Sequence, residues 1–174
     1  ITGNSVDSYF GFTKMMWIRE NEPEIWQRTY QLITPKDYVI YKLTGQHAID
    51  YSSAGNIGGV FDIRAKQWSE HMCDLLKIEK DKLPEKIIPS SSIAGNLTEY
   101  AATITGLKAG TPVICGGIDA AVTQFSAGVL EEGEHVAMAG TSMCWGTVHD
   151  GKHLNKGLVN FPYVVDENEK IYTF

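Results

Sequence analysis

Up to Leu107 the apolar positions follow helical spacing, interrupted by capping and turn residues. Between Lys14 and Asn21, Met15, Trp17 and Ile18 lie on adjoining faces, and Glu22-Pro23 then restarts a short helix that carries Ile25 and Trp26 inward. Thr34-Pro35-Lys36-Asp37 is a helix start: a hydroxyl at the cap, proline at the first position and an acid near the positive end. Gly45 closes that helix, and Tyr38, Ile40, Tyr41 and Leu43 are expected to pack inward. Asp50 to Gly59 reads as irregular, with Asp50 and Asp62 bonding nearby backbone. Ser69 caps a helix through Met72, Leu75 and Leu76, Pro84 to Ser92 reads as extended or looped, and Thr98 to Ile104 forms a short helix closed by Gly106.

From Gly110 the period changes. Thr111-Pro-Val-Ile-Cys115 is a short β-branched run, Ala120 to Ala127 suits a helix ending at Gly128, and His135–Met138 and Met143–Val148 read as strands joined by Gly140-Thr141-Ser142. The change predicts a boundary near Leu107 to Gly110, dividing the chain into 1–108 and 109–174.

Composition narrows the function classes. The 174 residues carry a net charge of −6 with scattered lysines and arginines, so no electrostatic footprint for nucleic acid exists and small molecules are the expected partners. No apolar segment approaches the length of a membrane span. Cys73, Cys115 and Cys144 form no metal-spaced pair and read as reduced thiols of a cytoplasmic protein. His149 and His153 are spaced like metal ligands, yet Asp150-Gly151 between them signals a solvated turn, so no metal site is expected there. The four tryptophans are scattered and read as core or boundary aromatics.

Two strand-to-turn sites carry the candidate chemistry. Gly116-Gly117-Ile118-Asp119 places a carboxylate where a strand gives way to a helix; from spacing alone it is either a helix cap or an acid available to a ligand. Gly140-Thr141-Ser142 gathers small residues, backbone N–H groups and hydroxyls in a tight turn, suited either to a plain hairpin or to phosphate. Ser142 lacks a nucleophile-elbow context because position 144 is cysteine, which argues against a serine hydrolase.

The ordered string Tyr9-Phe-Gly-Phe-Thr-Lys14-Met-Met-Trp17, Pro35-Lys-Asp-Tyr38, Leu43-Thr-Gly45, Asp50-Tyr-Ser52, Phe61-Asp62, Trp68-Ser, Gly116-Gly-Ile-Asp119 and Gly140-Thr-Ser142 resembles the FGGY carbohydrate kinases across almost the whole chain. The xylulokinase-like branch is nearest, with gluconokinase-like and glycerol kinase-like members next. The resemblance implies an α/β chain of the ribonuclease H-like, actin-like ATPase fold, with 1–108 the later part of the N-terminal domain and 109–174 the beginning of the C-terminal one. It implies ATP and Mg²⁺ as cofactors, a sugar such as xylulose as acceptor, a cytoplasmic location and compatibility with a homodimer. Asp119 matches the catalytic base, Gly140, Thr141 and Ser142 the second phosphate loop, and Tyr9 and Ala120 positions that meet the sugar. Gly11 departs from the family pattern beside Tyr9, and Ala120 stands where relatives carry Asn or Gln, so the sugar stays open. The first phosphate loop, Asp-x-Gly-Thr, does not occur in these residues, which implies the middle of a longer kinase without activity on its own. Two other readings remain: a non-catalytic sugar- or nucleotide-binding module of the same superfamily, and an unrelated α/β domain.

Overall fold

The computed structural model describes residues 1–141 and 143–174. Three helices open the chain: α1 (Gly11–Asn21), α2 (Pro23–Arg28) and α3 (Pro35–Thr44). The start of α3 is built as its sequence dictates. Thr34 accepts the Asp37 N–H, Pro35 occupies the first turn, and Gly45 takes the left-handed conformation, φ 71°, that ends the helix. Of the four residues expected inward, only Ile40 is fully buried; Tyr38 and Tyr41 lie at the surface, and the other buried positions of α3 are Asp37 and Thr44. A buried acid has displaced the apolar stripe there. Ile25, Trp17 and Trp145 are likewise exposed, whereas Trp26 and Trp68 are core residues.

Strand β1 (Ala48–Asp50) leads directly into helix α4 (Tyr51–Ile57), where the sequence reads as irregular. The Asp50 carboxylate accepts the N–H groups of Ser52 and Ser53, so the acid starts the helix. No apolar period announces α4 because nearly all of it is buried through small residues, Ser52 to Gly55. A glycine inside a helix costs about 1 kcal/mol in propensity, but at Gly55 a Cβ would sit 2.7 Å from Phe161 Cβ and 2.8 Å from Pro162 Cδ. Close approach of the later chain requires it.

The hairpin β2 (Phe61–Asp62) with β3 (Gln67–Trp68), helix α5 (Glu70–Leu76) capped by Ser69, and strand β4 (Lys86–Ile88) follow; β4 pairs parallel to β1 with Asp50 opposite Ile88. Strand β5 (Ile93–Asn96), helix α6 (Glu99–Thr105) and strand β6 (Pro112–Ile114) form the next unit, and β6 runs antiparallel to β5. Helix α7 (Asp119–Ser126) then precedes an antiparallel sheet in the order β7 (His135–Ala139), β8 (Met143–His149), β10 (Ile171–Thr173), β9 (Asn160–Pro162).

One core cluster centres on Phe10, Phe12, Trp26, Ile49, Phe61 and Trp68, and a second on Val148, Phe161, Tyr163 and Tyr172. Val159 touches both, and α4 packs against β9 between them. The turn joining β9 to β10 adds a polar link: Glu167 Oε1 accepts the Ser90 N–H at 2.6 Å, while the Ser90 hydroxyl donates to Asp50 and the Ser90 carbonyl accepts the Gly116 N–H.

Burial pushes the Glu167 carboxyl up to about 7, with the Asp50 charge adding to the rise and Ser90 and Lys66 opposing it. A folded value above the unfolded one means that the native state binds the extra proton. The contribution is therefore fully present below about pH 4.5 and is lost as pH rises towards 7. Wild type should lose about 1–3 kcal/mol relative to Glu167→Gln between pH 4.5 and 8. Denaturant melts across that range check this, and parallel profiles for the two proteins would exclude it.

Candidate active site

The acid of the first strand-to-turn site is delivered by a short, fully specified path. Beyond β6 the Cys115 N–H donates to the Ser92 carbonyl, and the Gly116 N–H donates to the Ser90 carbonyl, with Gly116 at φ 69°. Glycine carries that left-handed turn without the side-chain clash other residues meet. At Gly117 the constraint is space: a Cβ would collide with Val164 Cγ1 and lie 3.2 Å from both Ser52 Oγ and Val122 Cγ2. The Ile118 N–H then donates to Ser52 Oγ at 3.0 Å, and α7 begins at Asp119.

Asp119 is not the cap of α7. The cap position belongs to Ile118, which offers no side-chain acceptor, and among the described residues Asp119 accepts only the N–H of its own neighbour Ala120, at 2.7 Å. Its carboxylate is exposed and lines a cavity of about 700 Å³ together with Tyr9, Lys14, Lys36, Asn56 and Val122. Tyr9 donates to Asn56 Oδ1 at 3.0 Å, and Lys14 pins the backbone beside it through the carbonyls of Ser8 and Tyr9. Burial raises the Tyr9 phenol above its ordinary value, and the negative charge of Asp119 pushes the same way. Burial also raises the Cys144 thiol; Tyr172 opposes that rise, and Asp119 adds to it.

Other expected positions are arranged differently. Ala120 packs towards the second core cluster and does not line the cavity. Gly140 and Thr141 are exposed at the tip of the β7–β8 hairpin, outside the cavity lining, and Ser142 lies outside the described residues.

A buried ion network has no local signature in the sequence. Lys36 Nζ lies 2.6 Å from Asp37 Oδ1 and 3.0 Å from Asp50 Oδ1, and it donates to the Cys115 carbonyl at 3.0 Å. Asp50 and Asp37 are 0% and 1% exposed. The other oxygen of Asp50 accepts from the hydroxyls of Ser52 and Ser90. Burial raises the Asp37 carboxyl, with Lys36 working against that rise. Burial lowers the Lys36 ammonium, but the charges of Asp50 and Asp37 outweigh it and leave the value raised. Asp37, Asp50 and Cys115 present ligand atoms close enough together to suggest a metal. Their chemistry indicates otherwise: Lys36 already supplies the cation, and burial pushes the Cys115 thiol up to about 12, far from thiolate. The available signal is two acids, Asp37 on α3 and Asp50 at the end of β1, whose three residues are all buried; acids so placed require a countercharge.

Comparison with known proteins bears on the family and the fold. Residues 1–126 match the sequence model of the FGGY family of carbohydrate kinases, N-terminal domain. The xylulose kinase of Bacillus subtilis is 36% identical over 143 residues, 82% of this chain and 28% of that protein. The autoinducer-2 kinase of Klebsiella pneumoniae is 30% identical over 128 residues, 74% of this chain and 24% of that protein. The crystal structure of xylulose kinase from Rhodospirillum rubrum superposes over 99% of this chain and 34% of that one with a TM-score of 0.90 at 23% identity, a likeness of fold. The chain thus spans under a third of the length of the two sequence relatives.

The tight seat of Gly117 gives a direct check. Gly117→Ala should cost about 1–3 kcal/mol through the forced displacement of Val164, measured by denaturant unfolding. A change within about 0.5 kcal/mol, the range of neutral surface substitutions, would mean that the turn is not held as described.

Proposed function

The chain belongs to the FGGY family of carbohydrate kinases, and on that premise we propose that it serves, as a segment of a longer enzyme, in ATP-dependent phosphorylation of a sugar hydroxyl. The acceptor is D-xylulose or a related ketopentose. The observation that carries this reading is the Asp119 carboxylate, unused as a helix cap and exposed in the cavity that Tyr9 also lines.

ATP with Mg²⁺ supplies the transferable phosphoryl group and part of the charge compensation. Asp119 accepts the proton of the attacking hydroxyl and orients it, which is the work of a positioned base with few competing partners. Tyr9 offers an aromatic face and a phenol to the sugar, with its hydroxyl directed by Asn56. Gly140, Thr141 and Ser142 provide backbone donors and hydroxyls for phosphate; the exposure of Gly140 and Thr141 at a hairpin tip supports this role. The chemistry of the described residues fits the nucleotide's phosphates at this turn better than a metal at the Lys36 cluster, which holds its own cation. Ala120 beside the base leaves the preference among ketopentose, gluconate and glycerol to sugar contacts made elsewhere. No helix among the described residues is long and apolar enough to cross a membrane, and a cytoplasmic location accords with this reading.

The test uses the full reading frame, assayed for ADP release on xylulose, ribulose, gluconate and glycerol. Asp119→Asn should lower kcat by about 10²–10⁴-fold on the preferred sugar, with the fold retained by circular dichroism. A variant as fast as its parent would remove Asp119 from the chemistry. Absence of turnover on every sugar would favour a non-catalytic binding module. A second outcome concerns the 174-residue chain by itself, which should show no ATP-dependent sugar phosphorylation, because the acid that holds Mg²⁺ in the family's first phosphate loop is not among its residues. Robust turnover by that chain would overturn this division of labour.

A further inference from the structure

We propose that Ser52 is a positioning residue for Asp119, acting through the Gly116–Ile118 turn from outside the cavity lining, and that Lys36, which itself lines the cavity, holds the start of the same turn. This rests on the reading of Asp119 as the base. The turn is held at both ends by one continuous set of bonds. At its start, Lys36 donates to the carbonyl of Cys115. At its end, the Ile118 N–H donates to Ser52 Oγ, and Ser52 in turn bonds the Asp50 carboxylate that Lys36 neutralises. The Ile118 bond falls one residue before Asp119, at the position that normally caps a helix.

A merely structural ion cluster would not need to reach the residue next to the base. Here a hydroxyl from α4, fully buried, accepts the N–H of Ile118, the residue at the cap position of α7 and one of the donors a helix start leaves without an intrahelical partner, and thereby anchors the point where the helix begins. Removing it frees the first turn of α7, and the Asp119 carboxylate then loses its register with the acceptor hydroxyl. A displacement of about 1 Å at a reacting group can cost about 100-fold in rate.

A double-mutant cycle in the full reading frame tests this: Ser52→Ala, Asp119→Asn and the pair. Lys36→Met is added as a second route into the same network. Ser52→Ala removes the hydroxyl and leaves the three charges in place, so the fold should persist by circular dichroism. The expected result is a fall in kcat of about 10- to 100-fold with the KM for ATP within about twofold, and no further fall when Ser52→Ala is combined with Asp119→Asn. Where Lys36→Met folds, it should follow the same pattern. An unchanged kcat in Ser52→Ala overturns the positioning role and leaves the base reading standing. So does an equal fold-loss from Ser52→Ala whether it is made in the parent enzyme or on top of Asp119→Asn. An Asp119→Asn enzyme as fast as its parent defeats the base reading and this proposal with it.

Discussion

Two carboxylates, Asp37 and Asp50, are buried side by side, and the arrangement of the candidate site depends on the single ammonium of Lys36 between them. Moving either acid out of water unpaired would cost several kcal/mol. The chain meets that cost by bringing three separated pieces together: the first turn of α3, the junction of β1 with α4, and the end of β6, beyond which the Cys115 carbonyl takes a third bond from Lys36. Satisfying one cation therefore fixes where β6 ends relative to α4. Once that is fixed, Ser52 and Ser90 are aligned to receive the Gly-Gly turn and the β9–β10 turn respectively. The network contributes geometric specificity more than net stability, since a buried ion pair often does no better than apolar residues of equal volume.

Packing and polarity divide the labour. Small residues in α4 let β9 approach closely enough to join the two core clusters, and that same helix turns Ser52 towards Ile118 and Asn56 towards Tyr9. One element thus binds the halves of the molecule and sets both the acid and the aromatic of the cavity. Asp119, by contrast, is left with almost no intramolecular work: it is exposed, and the cap position of α7 is filled by another residue. Acids in strand-to-helix turns usually cap; one that does not is available to a ligand.

Much of this is legible in the sequence where local chemistry decides the outcome. Thr34 with Pro35, Ser69 and Thr98 set helix starts by direct hydrogen bonds to nearby N–H groups, and the β-branched run before Gly116 forms the strand it implies. The order of short motifs is enough to identify the family. Helix α4 is not legible, because its positions are buried through serine, alanine and glycine, and the hydrophobic period that betrays most helices is absent. The inward face of α3 departs from its apolar spacing for a related reason: Asp37 takes the buried position, and Tyr38 and Tyr41 are left at the surface. Lys36 reads locally as part of a helix start because its partners are distant in sequence, and only the tertiary fold brings Asp50 and the Cys115 carbonyl to it.

In the proposed reaction the Asp119 carboxylate meets the acceptor hydroxyl inside the cavity that Tyr9 lines. The most direct test is a crystal structure of the full-length enzyme with its sugar and a non-hydrolysable ATP analogue. An Asp119 oxygen is expected within about 2.6–3.2 Å of the hydroxyl that becomes phosphorylated, with the Ile118-to-Ser52 bond intact. A sugar bound elsewhere, or an Asp119 carboxylate turned back onto the backbone of α7 with the hydroxyl out of reach, would contradict it.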